Sequence, residues 1–369
     1  MAIRMRPLNE RELTGGHSSI FRVNQNTVEQ LTKDGSSVEG QVYNYDKVFG
    51  EGAGNKDVYQ GLARDVVAGV VNGINGTIFA YGQTSSGKTH TMLGGGTEQG
   101  VLELSTTEIF NSIASCPDRE FLMRVSFVEI YNESIKDLLA DGKEETILNI
   151  REDPRRGVYC EATEKIITDY ETVTRALQKG MARRTVEATA MNETSSRSHS
   201  IFKLVVESRA RQHEGDEEPD GAVLVASLTL VDLAGSESVR HTGTTGQRAK
   251  EGGKINQSLL SLSRVIHSLS QPGAHVSFRD SKLTRLLQPS LSGNAKMCIV
   301  CCVTSSEKFI EETRSTLQFA SRAKLVTTHA TVNEVMDDAT KMKRMTREIA
   351  ELHEKLNVFE QDANSMAGS

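Results

Sequence analysis

The chain has 369 residues, 37% of them hydrophobic and 25% charged, which excludes a disordered or fibrous protein and allows one large domain or two ordinary ones. Lys and Arg number 43 against 49 Asp and Glu, a formal net charge of -6. A uniformly basic nucleic-acid binder is thereby excluded, and any polyanionic partner must be met by a local patch. No apolar run approaches the roughly 18 residues of a membrane span, and the opening Met1-Ala-Ile-Arg4-Met-Arg-Pro7 has no signal-peptide core. A soluble intracellular protein is expected, with neither a membrane nor a nucleic-acid partner.

Strand-like and helix-like segments alternate over about 325 residues, which predicts an α/β fold with a central sheet covered by helices on both faces. Asn55 to Ile74 reads as a helix and Thr77 to Tyr81 as a buried strand. The strand feeds Gly82-Gln83-Thr84-Ser85-Ser86-Gly87-Lys88-Thr89, a complete Gly-x-x-x-x-Gly-Lys-Ser/Thr phosphate loop, and Thr89 to Met92 can begin a helix. Glycines let backbone amides turn inward around phosphate, and the helix amino terminus adds positive potential. Lys88 can reach the β and γ phosphates, and Thr89 can place its hydroxyl on Mg²⁺.

Phe121 to Tyr131 predicts a longer strand and Tyr170 to Val186 a helix. Asn192-Glu-Thr-Ser195-Ser196-Arg197-Ser198-His199 is too polar for a core strand; its hydroxyls suit a metal or water ligand. Ile201 to Ala210 and Ala222 to Asp232 are strands, and the acidic, breaker-rich 211–221 between them should be a solvated hairpin loop. The second strand ends in Asp232-Leu-Ala-Gly235-Ser-Glu237. Asp232 can hold the water shell of a metal, Gly235 can offer its amide to a γ phosphate, and Arg197 is a ready partner for Glu237.

Ile255 to Ser270 and Ile310 to Lys324 read as helices, with the strand Met297 to Val303 between them. That strand holds Cys298, Cys301 and Cys302, read as small apolar groups because no second Cys or His pair completes a zinc site; Cys116 and Cys160 stand alone. From Met342, apolar residues at Met345, Ile349, Leu352, Leu356 and Phe359 keep the spacing of a coiled coil, read as the start of a dimerisation stalk.

These segments together resemble the kinesin motor domain. The phosphate loop, a switch I of the form Asn-x-x-Ser-Ser-Arg-Ser-His and a switch II Asp-Leu-Ala-Gly-Ser-Glu occur in that order. Arg4-Met-Arg-Pro7 is similar to the adenine-site motif of the family, and His90 falls where kinesins place a residue against the nucleotide. The resemblance spans about residues 2 to 335 and implies a phosphate-loop NTPase fold that hydrolyses Mg-ATP by water. It assigns Ser195 to the nucleotide and Ser196 to the metal or to proton relay from the attacking water. It pairs Arg197 with Glu237 as switch I closes, has Gly235 sense the γ phosphate, and has Asn256 retain the closed switch. A guanine-specific Asn-Lys-x-Asp motif is absent: Asn55-Lys-Asp-Val58 has its acid one place early and precedes the phosphate loop.

The implied track is the polyanionic microtubule. Residues 248 to 285 carry seven basic side chains against two acidic ones, a local +5 in a chain of -6. The run His275-Val-Ser-Phe-Arg279-Asp-Ser-Lys282-Leu-Thr-Arg285 resembles the loop and helix that face tubulin, with Lys250 and Lys254 in a loop ahead of the contact helix. The implied division is a motor domain over 1–324, a neck linker over 325–338 with Asn333 at the position of a latching asparagine, a neck coiled-coil start over 339–363, and a frayed terminus over 364–369. Thr331-Val-Asn-Glu-Val335 most resembles the centromere-associated (CENP-E-like) kinesins. That implies a plus-end-directed, processive homodimer, joined by a coiled coil beyond the neck, at spindle microtubules and kinetochores. The chain opens almost inside its first strand, so a truncated cover segment and weak force are expected. Two other readings stand beside the motile one: a regulator of microtubule ends that does not walk, and a nucleotide-gated binding module that does not hydrolyse.

Overall fold

The computed structural model describes residues 1–336 except 33, 143–145, 155–156, 192–195, 212–221, 238–246 and 272, together with 342, 346 and 353; at 185–191, 247–253 and 255 it describes the backbone alone. Six strands form the core: β1 (Ala2–Arg6), β2 (Gly76–Tyr81), β3 (Arg119–Tyr131), β4 (His199–Ala210), β5 (Val223–Asp232) and β6 (Lys296–Thr304). Around them lie α1 (Arg64–Val71), α2 (Lys88–Leu93), α3 (Val101–Ala114), α4 (Tyr170–Met191), α5 (Gln247–Leu269), α6 (Lys282–Leu286), α7 (Gln288–Leu291) and α8 (Ile310–Ala323).

The core strands stand in the order β3-β4-β5-β2-β6-β1, extended on one edge by Ser134–Asp137 and Ile147–Leu148 and on the other by Lys47–Phe49. Pairing is antiparallel across β3, β4 and β5 and parallel from β5 through β2 and β6 to β1, so the sheet is mixed. Side chains alternate between the two faces of a strand. Phe79 and Tyr81 therefore pack with Leu259, Leu262 and Val265 of α5, Leu283 of α6, Leu291 of α7 and Phe319 of α8. Ile78 and Ala80 face the other way, onto Val66, Val67 and Val70 of α1, Val101 and Ile109 of α3 and Val173 of α4. The same division splits β6: Cys301 lies in the first cluster, Cys298 and Cys302 in the second, all three buried free thiols. Burial on both faces is the reason these strands read as continuous apolar runs.

Three helix boundaries differ from expectation. The predicted helix Asn55–Ile74 is Asn55–Val58, a wide π turn over Tyr59–Ala63, and α1, which stops at Val71 because Gly73 takes φ +84. The helix α4 runs to Met191, five residues past the predicted end. The helix α5 starts at Gln247, eight residues before the predicted Ile255. Gly252 and Gly253 read as breakers, yet a glycine costs a helix interior only about 1 kcal/mol; Lys250 and Lys254 therefore stand on the helix, not in a loop before it.

After α8 the chain runs back along the sheet. Thr331 donates N–H and Oγ1 to Asn294 Oδ1, both at 2.9 Å. Asn333 donates its backbone N–H (2.8 Å) and Nδ2 (3.0 Å) to the Gly73 carbonyl and accepts from Asn294 Nδ2 at 2.7 Å. Glu334–Val335 then pairs antiparallel with Val223 and Leu224 at the start of β5. Apart from 342, 346 and 353, the predicted coiled-coil start and terminus lie outside the described residues, as does all of the predicted loop 211–221 but Arg211. Among the described residues no helix is long and apolar enough to cross a membrane.

Gly180 of α4 lies directly against the sheet: a Cβ there would enter the ring of Phe127, itself held edge-on to Phe202 at 5.7 Å. Gly180→Ala is expected to lower the unfolding free energy by about 1–2 kcal/mol, overpacking outweighing the gain in helix propensity. Urea denaturation followed by circular dichroism measures this, and a raised midpoint would show that the ring yields freely.

Candidate functional site

The parallel register brings the chemistry together. Asp232, last residue of β5, is level with Ala80 of β2, two residues before the phosphate loop begins. Gly82 has φ +146, and a Cβ there would strike the Cys302 carbonyl of β6, so only glycine lets the loop leave the sheet at this point. Gly87 is left-handed at φ 100 where it caps α2, and Ser85 sits at φ 61. Strain of this kind concentrates at ligand cradles.

Thr84, Ser85, Gly87, Lys88, Thr89, His90 and Ser196 line one cleft of about 370 Å³. Lys88 is buried and donates to the Gln83 carbonyl at 2.8 Å. Burial pulls its ammonium below the ordinary value, while the carboxylates of Asp232 and Glu237 oppose that. Thr89 Oγ1 donates to Asp232 Oδ2 at 2.8 Å. Asp232 Oδ1 and Ser86 Oγ are buried without a hydrogen bond, which calls for a missing partner. A hydroxyl beside a carboxylate with a spare oxygen is a hard-oxygen set that fits Mg²⁺, and the turned-in loop with its buried ammonium fits a polyphosphate.

The two switch-like segments meet at this loop. Gly235 N–H donates to the Ser196 carbonyl at 2.9 Å, and Ser236 N–H to the Gly82 carbonyl at 3.1 Å. Glu237 accepts from the Thr84 backbone N–H at 2.7 Å and from Thr84 Oγ1. Thr84 thus helps to hold the Glu237 carboxylate at the loop, an interaction the motif spacing did not announce. Arg197 is partly buried. Asn256 is not in the phosphate cleft: with Tyr81, Ser236 and Glu237 it lines a groove of about 510 Å³ between α5 and α8. Ser195 lies outside the described residues.

The two arginines of Arg4-Met-Arg-Pro7 have different surroundings. Arg4 is buried and engaged by Asn55, Thr91 and the Ala53 carbonyl, so its guanidinium braces α2 from behind. Arg6, one alternation along β1, donates to the Ser85 carbonyl at 2.7 Å and is held at both nitrogens by Glu12. Pro7 is exposed. His90 lines the cleft and stands 3.4 Å from Glu98.

The basic residues are placed as follows. Lys254, His275 and Arg279 are exposed, Lys282 and Arg285 half-buried, and the Lys250 side chain lies outside the described set. Arg279 and Arg285 both approach Glu152, at 3.2 and 3.6 Å. Glu152 belongs to the hairpin Ile150–Asp153/Gly157–Cys160, so that hairpin, with Arg151, extends the face carried by α6. Its strands are four residues each, too short for periodicity to reveal.

Sequence reading also missed a buried charge cluster behind Asp232. Arg184 of α4, 2% exposed, stands 3.3 Å from Glu129 and 3.6 Å from Asp232, whose side chains are 0% and 3% exposed. Ser198 donates to Glu129 and accepts from Arg184 at 3.3 Å. Lone charged residues spaced across a helix and two strands leave no local signal.

A family model described as Kinesin motor domain matches residues 4–326. Kinesin-like protein KIN-7L of Oryza sativa subsp. japonica is 47% identical over 347 residues, 93% of this chain and 53% of that protein. Centromere-associated protein E of Homo sapiens is 43% identical over 372 residues, 100% of this chain and 13% of that protein. A solved structure described as a KIF14 dimer in a two-heads-bound state, with AMP-PNP and a microtubule, matches with a TM-score of 0.83 at 35% identity, over 91% of this chain and 96% of that one. The chain belongs to the kinesin motor-domain family, and it spans about half or less of the curated relatives named here.

Arg184→Ala would remove the cation from between two buried carboxylates. It is expected to cost about 3–5 kcal/mol of stability, read as a lowered urea midpoint; an unchanged midpoint would mean that the cluster is dispensable.

Proposed function

We propose that this kinesin-family chain is a microtubule-stimulated ATPase motor, converting hydrolysis of Mg-ATP into movement along microtubules. The observation that carries the reading is the contact of three segments at one cleft: phosphate loop, Ser196 and the Asp232–Glu237 run are joined by the hydrogen bonds from Gly235 to Ser196 and from Thr84 to Glu237. Phosphoryl transfer needs positioning and charge stabilisation more than covalent chemistry, and this cleft supplies both.

Gln83, Thr84, Ser85, Ser86 and Gly87 form the loop that cradles the phosphates, and Lys88 neutralises charge on the β and γ groups. Thr89 and Ser196, with Asp232 through water, would hold Mg²⁺, which would supply charge neutralisation at the phosphates. Gly235 reports the γ phosphate through its N–H. Glu237 pairs with Arg197 as the switch closes over the γ phosphate, and Asn256 retains that arrangement. Arg4 and Pro7 belong to the adenine side, where Arg6 adds a direct contact with the loop. Lys250, Lys254, His275, Arg279, Lys282 and Arg285, joined by the hairpin around Glu152, form the microtubule face. The return segment through Asn333 is a neck linker docked on the sheet.

The finer reading is a plus-end-directed, processive mitotic motor, dimeric through a coiled coil beyond the neck and working at spindle microtubules or kinetochores. Its support is the likeness of Thr331–Val335 to the CENP-E-like kinesins, the 43% identity to human Centromere-associated protein E, and the dimeric state named for the KIF14 structure.

Steady-state ATP hydrolysis with and without stabilised microtubules tests the coarse reading. Stimulation of at least tenfold is expected; hydrolysis that microtubules leave unchanged would refute the coupling, and absence of hydrolysis would favour a nucleotide-gated binding module. Glu237→Ala is expected to reduce turnover by at least about a hundredfold with nucleotide affinity retained, and normal turnover would remove Glu237 from the mechanism. Arg279→Glu with Lys282→Glu is expected to weaken microtubule cosedimentation by about tenfold or more, increasingly so at low salt.

A further inference from the structure

His199 opens β4 and is 2% exposed. Its Nδ1 accepts the Ala234 backbone N–H at 3.0 Å, and its Nε2 lies 2.8 Å from Ser258 Oγ. An amide can only donate, so Nδ1 carries the lone pair and Nε2 carries the proton, which it donates to the serine oxygen. Burial keeps the ring neutral, its pKa pushed down to about 3, with the cations of Arg184 and Lys88 acting in the same direction. One tautomer therefore persists across the working pH range, and the ring is a directional link rather than a titrating one.

The ends of that link are informative. Ala234 stands between Asp232 and Gly235, whose N–H is bonded to Ser196, while Leu233 N–H is bonded to the Ala80 carbonyl at 3.2 Å. Ser258 is buried on α5, about one helical turn beyond the exposed Lys254. The imidazole is thus a hydrogen-bonded link between the segment beside the phosphate cleft and the helix that carries the exposed Lys254.

We propose that His199 is a positioning residue for microtubule stimulation: its ring sets the Ala234–Gly235 peptide against α5, so that displacement of either is felt by the other. The proposal rests on the reading of the chain as a microtubule-stimulated ATPase. A histidine that merely fills the core would serve both rates alike or neither; a positioning residue affects the stimulated rate selectively, because only that rate requires the helix and the cleft to move together.

Ser258→Ala is the decisive variant, since it removes the acceptor on α5 and leaves the ring and its bond to Ala234 in place. Basal ATP hydrolysis and nucleotide affinity are expected to stay within about twofold of the parent. The microtubule-stimulated kcat is expected to fall by about three- to tenfold, the size set by one buried neutral hydrogen bond, with the microtubule concentration for half-stimulation little changed. His199→Asn keeps an acceptor for Ala234 but is too short for Ser258. It should match Ser258→Ala, and the double variant should be no worse than either single one. Unchanged stimulation in Ser258→Ala overturns the proposal, as does an equal fall in basal and stimulated rates. If the unsubstituted chain hydrolyses ATP without microtubule stimulation, it is the functional reading that has failed, and that result is separable because it needs no variant.

Discussion

Everything at the cleft depends on the parallel pairing of β5 with β2. That ladder sets the carboxyl end of one strand beside the carboxyl end of the other, so a carboxylate and a phosphate loop far apart in sequence become neighbours without any special loop geometry. Parallel strands require crossovers, and those crossovers bury both faces of the sheet. The burial in turn removes water from behind Asp232 and Lys88, which raises the electrostatic stakes of every charge near the loop. Arg184 answers this from α4: it sits between Glu129 and Asp232 where no solvent can screen them.

From that arrangement the hydrogen bonds radiate in one connected pattern. Gly235 reaches Ser196, Ser236 reaches Gly82, Thr84 reaches Glu237, and Ala234 reaches His199 and through it Ser258. Peptide groups supply most of these contacts, which explains how segments rich in small residues can be geometrically exacting. Side-chain bulk is low here because backbone must approach backbone, as the fit of Gly82 under the Cys302 carbonyl illustrates.

Much of this was legible in the sequence because it is carried by local pattern. The phosphate loop is a contiguous motif, β2 and β6 are unbroken apolar runs, and the pairing of β4 with β5 follows from two strands joined by a breaker-rich stretch. Helix ends were less legible: Gly252 and Gly253 look like a terminus, but packing of Leu259, Leu262 and Val265 against the sheet sustains α5 through them. Least legible were contacts made by single residues across the fold. Arg4 and Arg6 are indistinguishable in a motif, and only the alternation of β1 beside Asn55 and Ser85 gives one to a brace and the other to the loop. Arg184, Glu152 and Thr84 likewise acquire meaning from partners more than a hundred residues away or on another element.

The strand β5 serves two masters at its two ends. Its first residues seat Glu334 and Val335, and its last is Asp232, about 30 Å further along at strand rise. Side chains alternate with a period of two, so one residue gained or lost inside the strand would turn Asp232 to the wrong face and shift the linker seat together. Neither end can drift in length independently of the other. Over evolutionary time, variation in chain length should therefore be channelled into the loops, leaving this ten-residue strand as a fixed gauge between the cleft and the linker.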